Sequence, residues 1–202
     1  MRDDSSYLVP PGLGARLAPI DAPLDDPTPL RHAAVLAAIL PMIDPREGER
    51  ILLIERSGEL RSHAGQLALP GGKPEPGDRD LVETALREAE EEVALARDRV
   101  SVLGRLSPVP TPSGFLIVPY VGRVRGPWEP TVVPGEVVAT LTPSLRQLAD
   151  PRTYTHQGSV EWMGRSYDLH EFAIYTPRLW GATARIVYDL LQRLDLDPRA
   201  SS

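Results

Sequence analysis

The sequence predicts a single-domain sandwich of helices and strands, of the α/β or α+β class. The chain has 202 residues, of which 42% are hydrophobic and 25% charged, which is enough for one buried core. Short apolar runs of strand length alternate with turn residues. Residues 80–95 and 180–196 have the spacing of amphipathic helices. Strands mixed with two substantial helices pack as layers on a shared core.

Composition excludes several classes of function. No stretch approaches the roughly 18 consecutive apolar residues of a membrane-spanning helix, and the first residues lack the apolar segment of a secretory signal. The net charge of -6 argues against nucleic-acid binding, which requires a basic face. The absence of cysteine excludes disulfides and thiolate metal sites. We therefore expect a cytoplasmic protein with no membrane or nucleic-acid partner, whose acidic surface would need a cation to bind an anionic small molecule.

Residues 1–31 are predicted to form an irregular Pro-rich arm. The chain contains 22 prolines, about twice the usual share of roughly 5%, and many of them fall within the first 30 residues. Proline removes a backbone donor and clashes with the preceding helical turn, so this segment is either disordered or wrapped on the surface. A folded domain at residues 32–197 and a short tail at residues 198–202 complete the predicted organisation.

The strands are predicted from apolar runs bounded by turns. Residues 33–43 and 50–56 are expected to pair around a turn that contains Asp44-Pro45 and Gly48, although the alanine content of the first run leaves a helix open. Further along, we predict strands in VSVLGRLS and FLIVPYVGRV, a strand running into a short helix in VVATLTPSLRQLAD, a hairpin in SVEWMGRSYDLHEFAIY, and a closing helix in WGATARIVYDLLQRLDL.

The clearest helix covers residues 80–95. Asp80 followed by Glu83 has the spacing of a capping box, so the helix is expected to start there. At about 100° per residue, one side forms a core face. Its members are Val82, Ala85, Leu86, Ala89 and Val93. The same wheel puts Glu83, Arg87 and Glu90 on the back of the helix, where Glu83 and Arg87 could pair at i,i+4.

Three carboxylates of this helix converge on one side. Glu88, Glu91 and Glu92 fall within roughly 100° beside the core face. Close like charges cost a few tenths of a kcal/mol per pair and lie beyond the reach of the helix dipole. A solvated acidic face is one interpretation. The other is a site for a hard divalent cation such as Mg²⁺, which accepts oxygen ligands from one or two carboxylates and from substrate phosphates.

A glycine pair precedes the helix, in Pro70-Gly71-Gly72-Lys73. Adjacent glycines are typical of turns, and they also allow a backbone carbonyl to approach a ligand closely. A glycine pair at a fixed distance before converging carboxylates favours the cation site.

This stretch resembles the Nudix box, G-x5-E-x7-R-E-U-x-E-E-x-G-U, in which U is apolar. The corresponding residues here are Gly72, Asp78 and the run from Arg87 to Leu95. Three positions depart from the pattern. Asp78 replaces the first Glu, eight residues instead of seven separate it from Arg87, and Ala94 replaces the Gly.

Residues 52–72, LLIERSGELRSHAGQLALPGG, resemble the pattern LLTxRSxxxRxxxGxxxFPGG that precedes the box in the coenzyme A diphosphatases of this superfamily. The matching positions are Leu52, Leu53, Arg56, Ser57, Arg61, Gly65, Pro70, Gly71 and Gly72. Ile54 and Leu69 are the conservative departures. The longer box is also similar to this branch, and the resemblance covers about residues 32 to 195.

The resemblance implies a Nudix-type α/β/α sandwich around a mixed β-sheet, with a homodimer as a family-level expectation. It implies hydrolysis of the coenzyme A diphosphate with Mg²⁺ or Mn²⁺, giving 3′,5′-ADP and 4′-phosphopantetheine. The implied metal ligands are Glu88, Glu92, Glu91 and the backbone carbonyl of Gly72. Arg87 corresponds to the arginine that orients a neighbouring Glu, and Glu136 falls where family members carry a late Glu that is a general base or an extra ligand.

Four cationic or titratable residues near the box are candidates for substrate phosphates: Arg56, Arg61, Lys73 and His63. Ordinary surface positions are the alternative for each of them. The other functions left open are hydrolysis of another nucleoside diphosphate derivative, such as ADP-ribose, and a Nudix-fold nucleotide-binding regulator without catalysis.

Overall fold

The structure is a computed structural model that describes residues 8–24, 30–58 and 65–200. The predicted substrate contacts Arg61 and His63 lie outside these ranges. The strands are β1 (Arg31–Leu40), β2 (Arg50–Ile51), β3 (Leu53–Arg56), β4 (Leu67–Ala68), β5 (Gly71–Gly72), β6 (Val100–Arg105), β7 (Val109–Pro110), β8 (Phe115–Val124), β9 (Val137–Leu141), β10 (Tyr154–Trp162), β11 (Arg165–Phe172) and β12 (Leu179–Trp180). The helices are α1 (Leu81–Val93), α2 (Leu145–Ala149) and α3 (Gly181–Arg193).

The central sheet is mixed, as the resemblance implies. Its strand order is β2-β1-β8-β6, with β5 added to β1 and β7 added to β8. The long strands β1 and β8 run parallel, from the Arg31–Phe115 pair to the Ile39–Arg123 pair, and the other pairings of this sheet are antiparallel. A parallel pair in the middle of a sheet is normally covered on both faces, which explains why β1 reads as a nearly continuous apolar run.

Two hydrophobic cores lie on opposite faces of this sheet. Successive side chains of a strand point to opposite faces, and β1 sends Ala34, Leu36 and Ala38 into the core beneath α1. Ala37 and Ile39 enter the core that α2 and α3 cover. Helix α1 therefore lies on one face and α3 on the other, which confirms the α/β/α layers.

The apolar run at residues 50–56 divides between two sheets. Ile51 pairs with Ile39, so the predicted pairing of the first two runs is confirmed for β1 and β2. Beyond Leu52, strand β3 joins a second sheet of order β4-β3-β9. The predicted hairpin is β10 and β11, and α2 follows β9 as expected. This second sheet matters for function because it places Arg56 against the segment that contains Glu136.

Residues 8–24 pack against the domain. A short 3-10 helix at Leu13–Arg16 places Leu13 in the core with α3, and Val9 is buried with it. Ala18 and Arg105 exchange two backbone hydrogen bonds of 2.9 Å, which fix this segment to the end of β6. In the ranges described, no helix is long and apolar enough to cross a membrane.

Candidate active site

Helix α1 carries most of the site, and its ends are set by local chemistry. Asp80 is the N-cap, and its side chain accepts a hydrogen bond from the Glu83 N–H at 2.8 Å, as the sequence predicts. The helix ends at Ala94, which adopts the left-handed conformation with φ 56° and ψ 31°. Glycine is preferred at such a position, which explains physically why the resembling pattern has Gly there.

Arg87 is buried, and its predicted position on the back of α1 is wrong. The wheel placed it beside Glu83, but Glu83 pairs with Arg79 and Arg97 instead. The guanidinium of Arg87 turns into the loop before the helix, where Nη2 donates to the Lys73 carbonyl at 3.0 Å. Helical periodicity relates residues within one helix, so it gives no information about a partner in the loop that precedes the helix.

That partner is Asp78. Both nitrogens of one edge of Arg87, Nε and Nη2, donate to the two Asp78 oxygens at 3.0 and 3.1 Å, a bidentate pair. Asp78 also accepts from the Thr84 hydroxyl and the Glu75 N–H, each at 2.9 Å. The Arg87 hydrogen bonds hold the pKa of Asp78 well below its usual range. Asp78 thus positions Arg87, a role that sequence analysis did not assign to it.

Arg87 in turn holds two of the predicted carboxylates. Its Nη1 lies 2.9 Å from Glu91 Oε2 and 3.1 Å from Glu88 Oε1. Arg87 and Glu91 form an i,i+4 pair, in place of the predicted pair between Glu83 and Arg87. One guanidinium therefore ties the loop to both carboxylates and limits where their oxygens can lie.

Glu88 lies directly against the glycine pair. A Cβ at Gly72 would come within 2.2 Å of Glu88 Oε1, so only glycine leaves room for this carboxylate. Burial raises the pKa of Glu88, although Arg87 opposes the effect. Gly72 therefore leaves the room that the Glu88 carboxylate occupies. Its own backbone carbonyl is in addition a predicted metal ligand.

Glu92 is the most buried of the three converging carboxylates of α1, with 9% of its side chain exposed, against 18% for Glu88 and 57% for Glu91. Its Oε2 accepts the Gly71 N–H at 3.0 Å, and its Oε1 lies 3.8 Å from Arg56 Nη1. Burial raises the pKa of Glu92 to about 7, and the charges of Glu88 and Glu136 act in the same direction. This carboxylate is held at a cost that a nearby cation would remove.

Glu136 joins the site through Arg56. Arg56 Nη2 lies 2.9 Å from Glu136 Oε2, and antiparallel pairing of Arg56 with Val137 brings these side chains together across 80 residues of sequence. Glu136 and Glu91 have 63% and 57% of their side chains exposed, so both can reach solvent water. Glu90 pairs with Arg97 away from the cluster, consistent with the surface position predicted for it.

The donor set fits a divalent cation. Among the described residues, Arg87 and Arg56 contact six carboxylates: Glu75, Asp78, Glu88, Glu91, Glu92 and Glu136. When all six carboxylates are ionised, the two guanidinium charges leave an excess of four negative charges. No three acidic or histidine side chains in the described ranges converge on one metal position. Mg²⁺, however, commonly takes only one or two carboxylates, with water and substrate phosphates as its other ligands.

Arg31 and Phe115 also lie near the glycine pair, and the sequence does not predict a role for either of them. Lys73, a predicted phosphate contact, has its ammonium 5.5 Å from the centre of the Phe115 ring, and the Arg31 guanidinium lies 4.2 Å from the same ring. Phe115 follows the loop at residues 108–114, and nothing in its spacing connects it with Lys73. The parallel register of β1 and β8 creates this group.

Comparisons with known proteins show the family to which the chain belongs. Residues 32–163 match the profile described as NUDIX domain. A protein of Photorhabdus laumondii subsp. laumondii named uncharacterized Nudix hydrolase NudL is 37% identical over 166 residues, covering 82% of this chain and 86% of that protein. A protein of the same name from Yersinia enterocolitica is 41% identical over 172 residues, covering 82% of each chain.

Solved structures show the same fold. A NUDIX hydrolase from Alicyclobacillus acidocaldarius has a TM-score of 0.51 and 20% identity, covering 61% of this chain and 83% of that one. A MutT/nudix family protein from Enterococcus faecalis has a TM-score of 0.50 and 13% identity, covering 86% of this chain and 63% of that one. The chain belongs to the Nudix hydrolase family, whose members hydrolyse diphosphates of small nucleotide derivatives with divalent metal ions.

Proposed function

We propose that this Nudix hydrolase cleaves the diphosphate of coenzyme A or its derivatives, giving 3′,5′-ADP and 4′-phosphopantetheine. The observation that carries the proposal is the position of Arg56. This arginine belongs to the segment that resembles the coenzyme A branch, and its guanidinium bridges Glu92 and Glu136. The branch-specific segment is thereby linked to the carboxylates of the box, where the scissile diphosphate would bind.

Glu88 and Glu92 are the side chains that would hold Mg²⁺ or Mn²⁺, with the Gly72 carbonyl and Glu91 as further oxygen donors. A divalent ion held there would neutralise charge on the diphosphate and would make the attacking water easier to deprotonate. The acidic excess of the cluster supports this assignment, because an anionic substrate would otherwise be repelled.

Arg87 acts as a positioning residue. Its pairing with Asp78 fixes the guanidinium, and the free edge holds Glu88 and Glu91. Replacing a side chain that orients metal-binding carboxylates normally lowers metal affinity or activity by about 10- to 100-fold. Arg87 therefore affects the reaction without touching the substrate.

Glu91 and Glu136 are the candidates for the general base. Hydrolysis adds one water: its oxygen bonds to one phosphorus, the bridging P–O bond breaks, and the water proton must be accepted by a nearby group. Both carboxylates are more than half exposed. The values of kcat for Glu91→Gln and Glu136→Gln, measured at saturating metal, identify the base as the residue whose replacement causes the larger loss.

Arg56 and Lys73, with Arg61 and His63, are the proposed substrate contacts. The diphosphate and the 3′-phosphate of coenzyme A carry more negative charge than one divalent cation balances, and guanidinium groups bind phosphate with paired hydrogen bonds. When substrate binds, Arg56 can exchange its bond to the exposed Glu136 for a phosphate oxygen.

Substrate identity is tested by incubating the protein with coenzyme A and with ADP-ribose, each with Mg²⁺ or Mn²⁺, and resolving the products. We expect a higher kcat/KM for coenzyme A. A preference for ADP-ribose would overturn the coenzyme A assignment and leave the family assignment intact.

Catalysis is separated from a purely regulatory role by Glu92→Gln, with Glu90→Gln as the matched control. An enzyme loses most of its metal-dependent turnover when Glu92 is replaced and keeps it when the outward-facing Glu90 is replaced. Absence of metal-dependent turnover of any nucleoside diphosphate derivative by the unmodified protein would favour the regulator.

A further inference from the structure

A pair of cations shares one aromatic ring beside the glycine pair. The Arg31 guanidinium carbon lies 4.2 Å and the Lys73 ammonium 5.5 Å from the centre of the Phe115 ring, both within the range of a cation–π interaction. Arg31 and Phe115 are directly opposite in the parallel pairing of β1 and β8, so the backbone register sets this contact.

This group adjoins the site described above. Lys73 follows Gly72 directly, and its backbone carbonyl accepts from Arg87, which ties it to the carboxylates of α1. Gly72 pairs with Ala34, three residues along β1 from Arg31. A substrate whose diphosphate lies at Glu88 and Glu92 would therefore have a neighbouring part within reach of Arg31 and Lys73.

Within the described ranges, neither of these two cations is neutralised by a carboxylate. In the part of the chain that the structure describes, no carboxylate lies within ion-pair distance of Arg31 or Lys73, whereas Arg56 and Arg87 contact several. The Arg31 guanidinium donates instead to the Ser113 carbonyl at 3.5 Å. An aromatic ring positions a cation without cancelling its charge, unlike a carboxylate.

Two positive charges beside one ring make this a position where an anion is electrostatically favoured. Bound phosphate accepts several hydrogen bonds, and arginine and lysine are the side chains that supply them.

We propose that Arg31, Lys73 and Phe115 form a subsite for a phosphomonoester group of the substrate, separate from the scissile diphosphate. The identity of that group rests on the proposed function: in coenzyme A it is the 3′-phosphate. Phe115 is the positioning residue, and the two cations contact the phosphate. The subsite selects for nucleotides that carry this extra phosphate and against those that lack it, such as ADP-ribose.

The kinetic test compares coenzyme A with 3′-dephospho-coenzyme A as substrates of the unmodified protein, Arg31→Gln and Lys73→Gln. Loss of one charge-assisted contact is expected to lower kcat/KM about 10-fold more for coenzyme A than for the dephospho form. The loss should appear mainly in KM. Arg146→Gln, which changes an exposed arginine of α2, is the control and should leave the ratio unchanged. Equal losses for both substrates in Arg31→Gln and Lys73→Gln would overturn the subsite.

A binding measurement keeps this inference separate from the proposed function. Calorimetry with 3′,5′-ADP and 5′-AMP requires no hydrolysis, and we expect 3′,5′-ADP to bind about 10-fold more tightly. Arg31→Gln should abolish that difference while its melting temperature stays unchanged. If the unmodified protein does not cleave coenzyme A but prefers 3′,5′-ADP, the subsite stands and the proposed function fails. Equal affinity for the two nucleotides would contradict the subsite.

Discussion

Glu92 shows how a single residue connects the stability of this protein with its chemistry. Its carboxylate is buried beside Glu88 and near Glu136, and the Gly71 N–H at 3.0 Å and the Arg56 guanidinium at 3.8 Å compensate for this. The pKa of Glu92 is raised to about 7 because burial disfavours the charged form. A buried carboxylate with a raised pKa lowers the stability of the folded protein at neutral pH, and such groups cluster at functional sites.

The raised pKa sets a pH dependence for the metal-free protein. Because the folded pKa of Glu92 lies above its unfolded value, its stabilising contribution is complete below about pH 4.5 and is lost as the pH rises through about 7. Glu92→Gln removes this titration. We expect the variant to be more stable than the unmodified protein at pH 8, by about 2 to 3 kcal/mol, and to show little advantage at pH 5.

Denaturant unfolding in EDTA at the two pH values measures this difference. Glu90→Gln is the control, since Glu90 is exposed and paired with Arg97. Equal effects of Glu92→Gln at both pH values would show that burial does not raise the pKa of Glu92.

Ala94 carries a small conformational cost at the end of α1. Its φ of 56° lies in the left-handed region, where glycine is unstrained and alanine is not. Ala94→Gly should therefore stabilise the protein by about 0.5 to 1 kcal/mol, measured by thermal or denaturant unfolding. A loss of stability would show that α1 does not end in this conformation in solution.

Some of these residues were predictable and others were not. Glu88, Glu92 and the glycine pair could be predicted because helix periodicity and adjacent glycines are local signals. The burial of Arg87 could not, because it depends on Asp78 in the preceding loop. The contact between Arg56 and Glu136 depends on pairing between strands 80 residues apart, which no local pattern contains.

At the scale of elements, the site is a contact between the β5 segment and α1. The two glycines of β5 have different neighbours. A Cβ at Gly71 would come within 2.3 Å of the Ala34 backbone oxygen, whereas a Cβ at Gly72 would meet the mobile end of Glu88. The first contact is with a rigid strand and the second with a side chain that can turn away.

The two alanine substitutions should therefore fail in different ways. Gly71→Ala forces β5 away from β1, so we expect a loss of several kcal/mol in stability, in the range of severe overpacking. Gly72→Ala displaces Glu88, so it should lower turnover by at least about 10-fold with a smaller loss of stability. Thermal melting and metal-dependent turnover of both variants test this, and similar melting temperatures with similar activities would contradict it.

The elements themselves were largely predictable. The start of α1 follows from Asp80 and Glu83, and the hairpin and α3 follow from their apolar periodicity. The division of residues 50–56 into β2 and β3 could not be predicted, because one continuous apolar run gives no sign that its halves join different sheets.

At the scale of the whole molecule, residues 8–24 are part of the structure that stabilises the domain. The proline content of this segment predicts its irregular backbone but not where it packs. Val9, Leu13 and Leu17 join the core on the α3 face of the sheet. The family profile begins at residue 32, so this contribution lies outside the matched region.

Leu13→Ala tests the contribution of this segment. Leu13 is fully buried, so its truncation should cost about 2 to 5 kcal/mol in the free energy of unfolding. Leu169→Ala, at a 41% exposed position on β11, is the matched control and should cost much less. Equal effects would show that the segment does not pack on the domain in solution.

Product analysis tests most directly whether the carboxylates of α1 support metal-dependent cleavage of the coenzyme A diphosphate. The protein is incubated with coenzyme A in Mg²⁺ or in EDTA, and the products are separated and identified by mass. We predict equal amounts of 3′,5′-ADP and 4′-phosphopantetheine with Mg²⁺, neither product in EDTA, and much less of both with Glu92→Gln. Intact coenzyme A in the presence of Mg²⁺, or cleavage at another bond such as the 3′-phosphate ester, would contradict it.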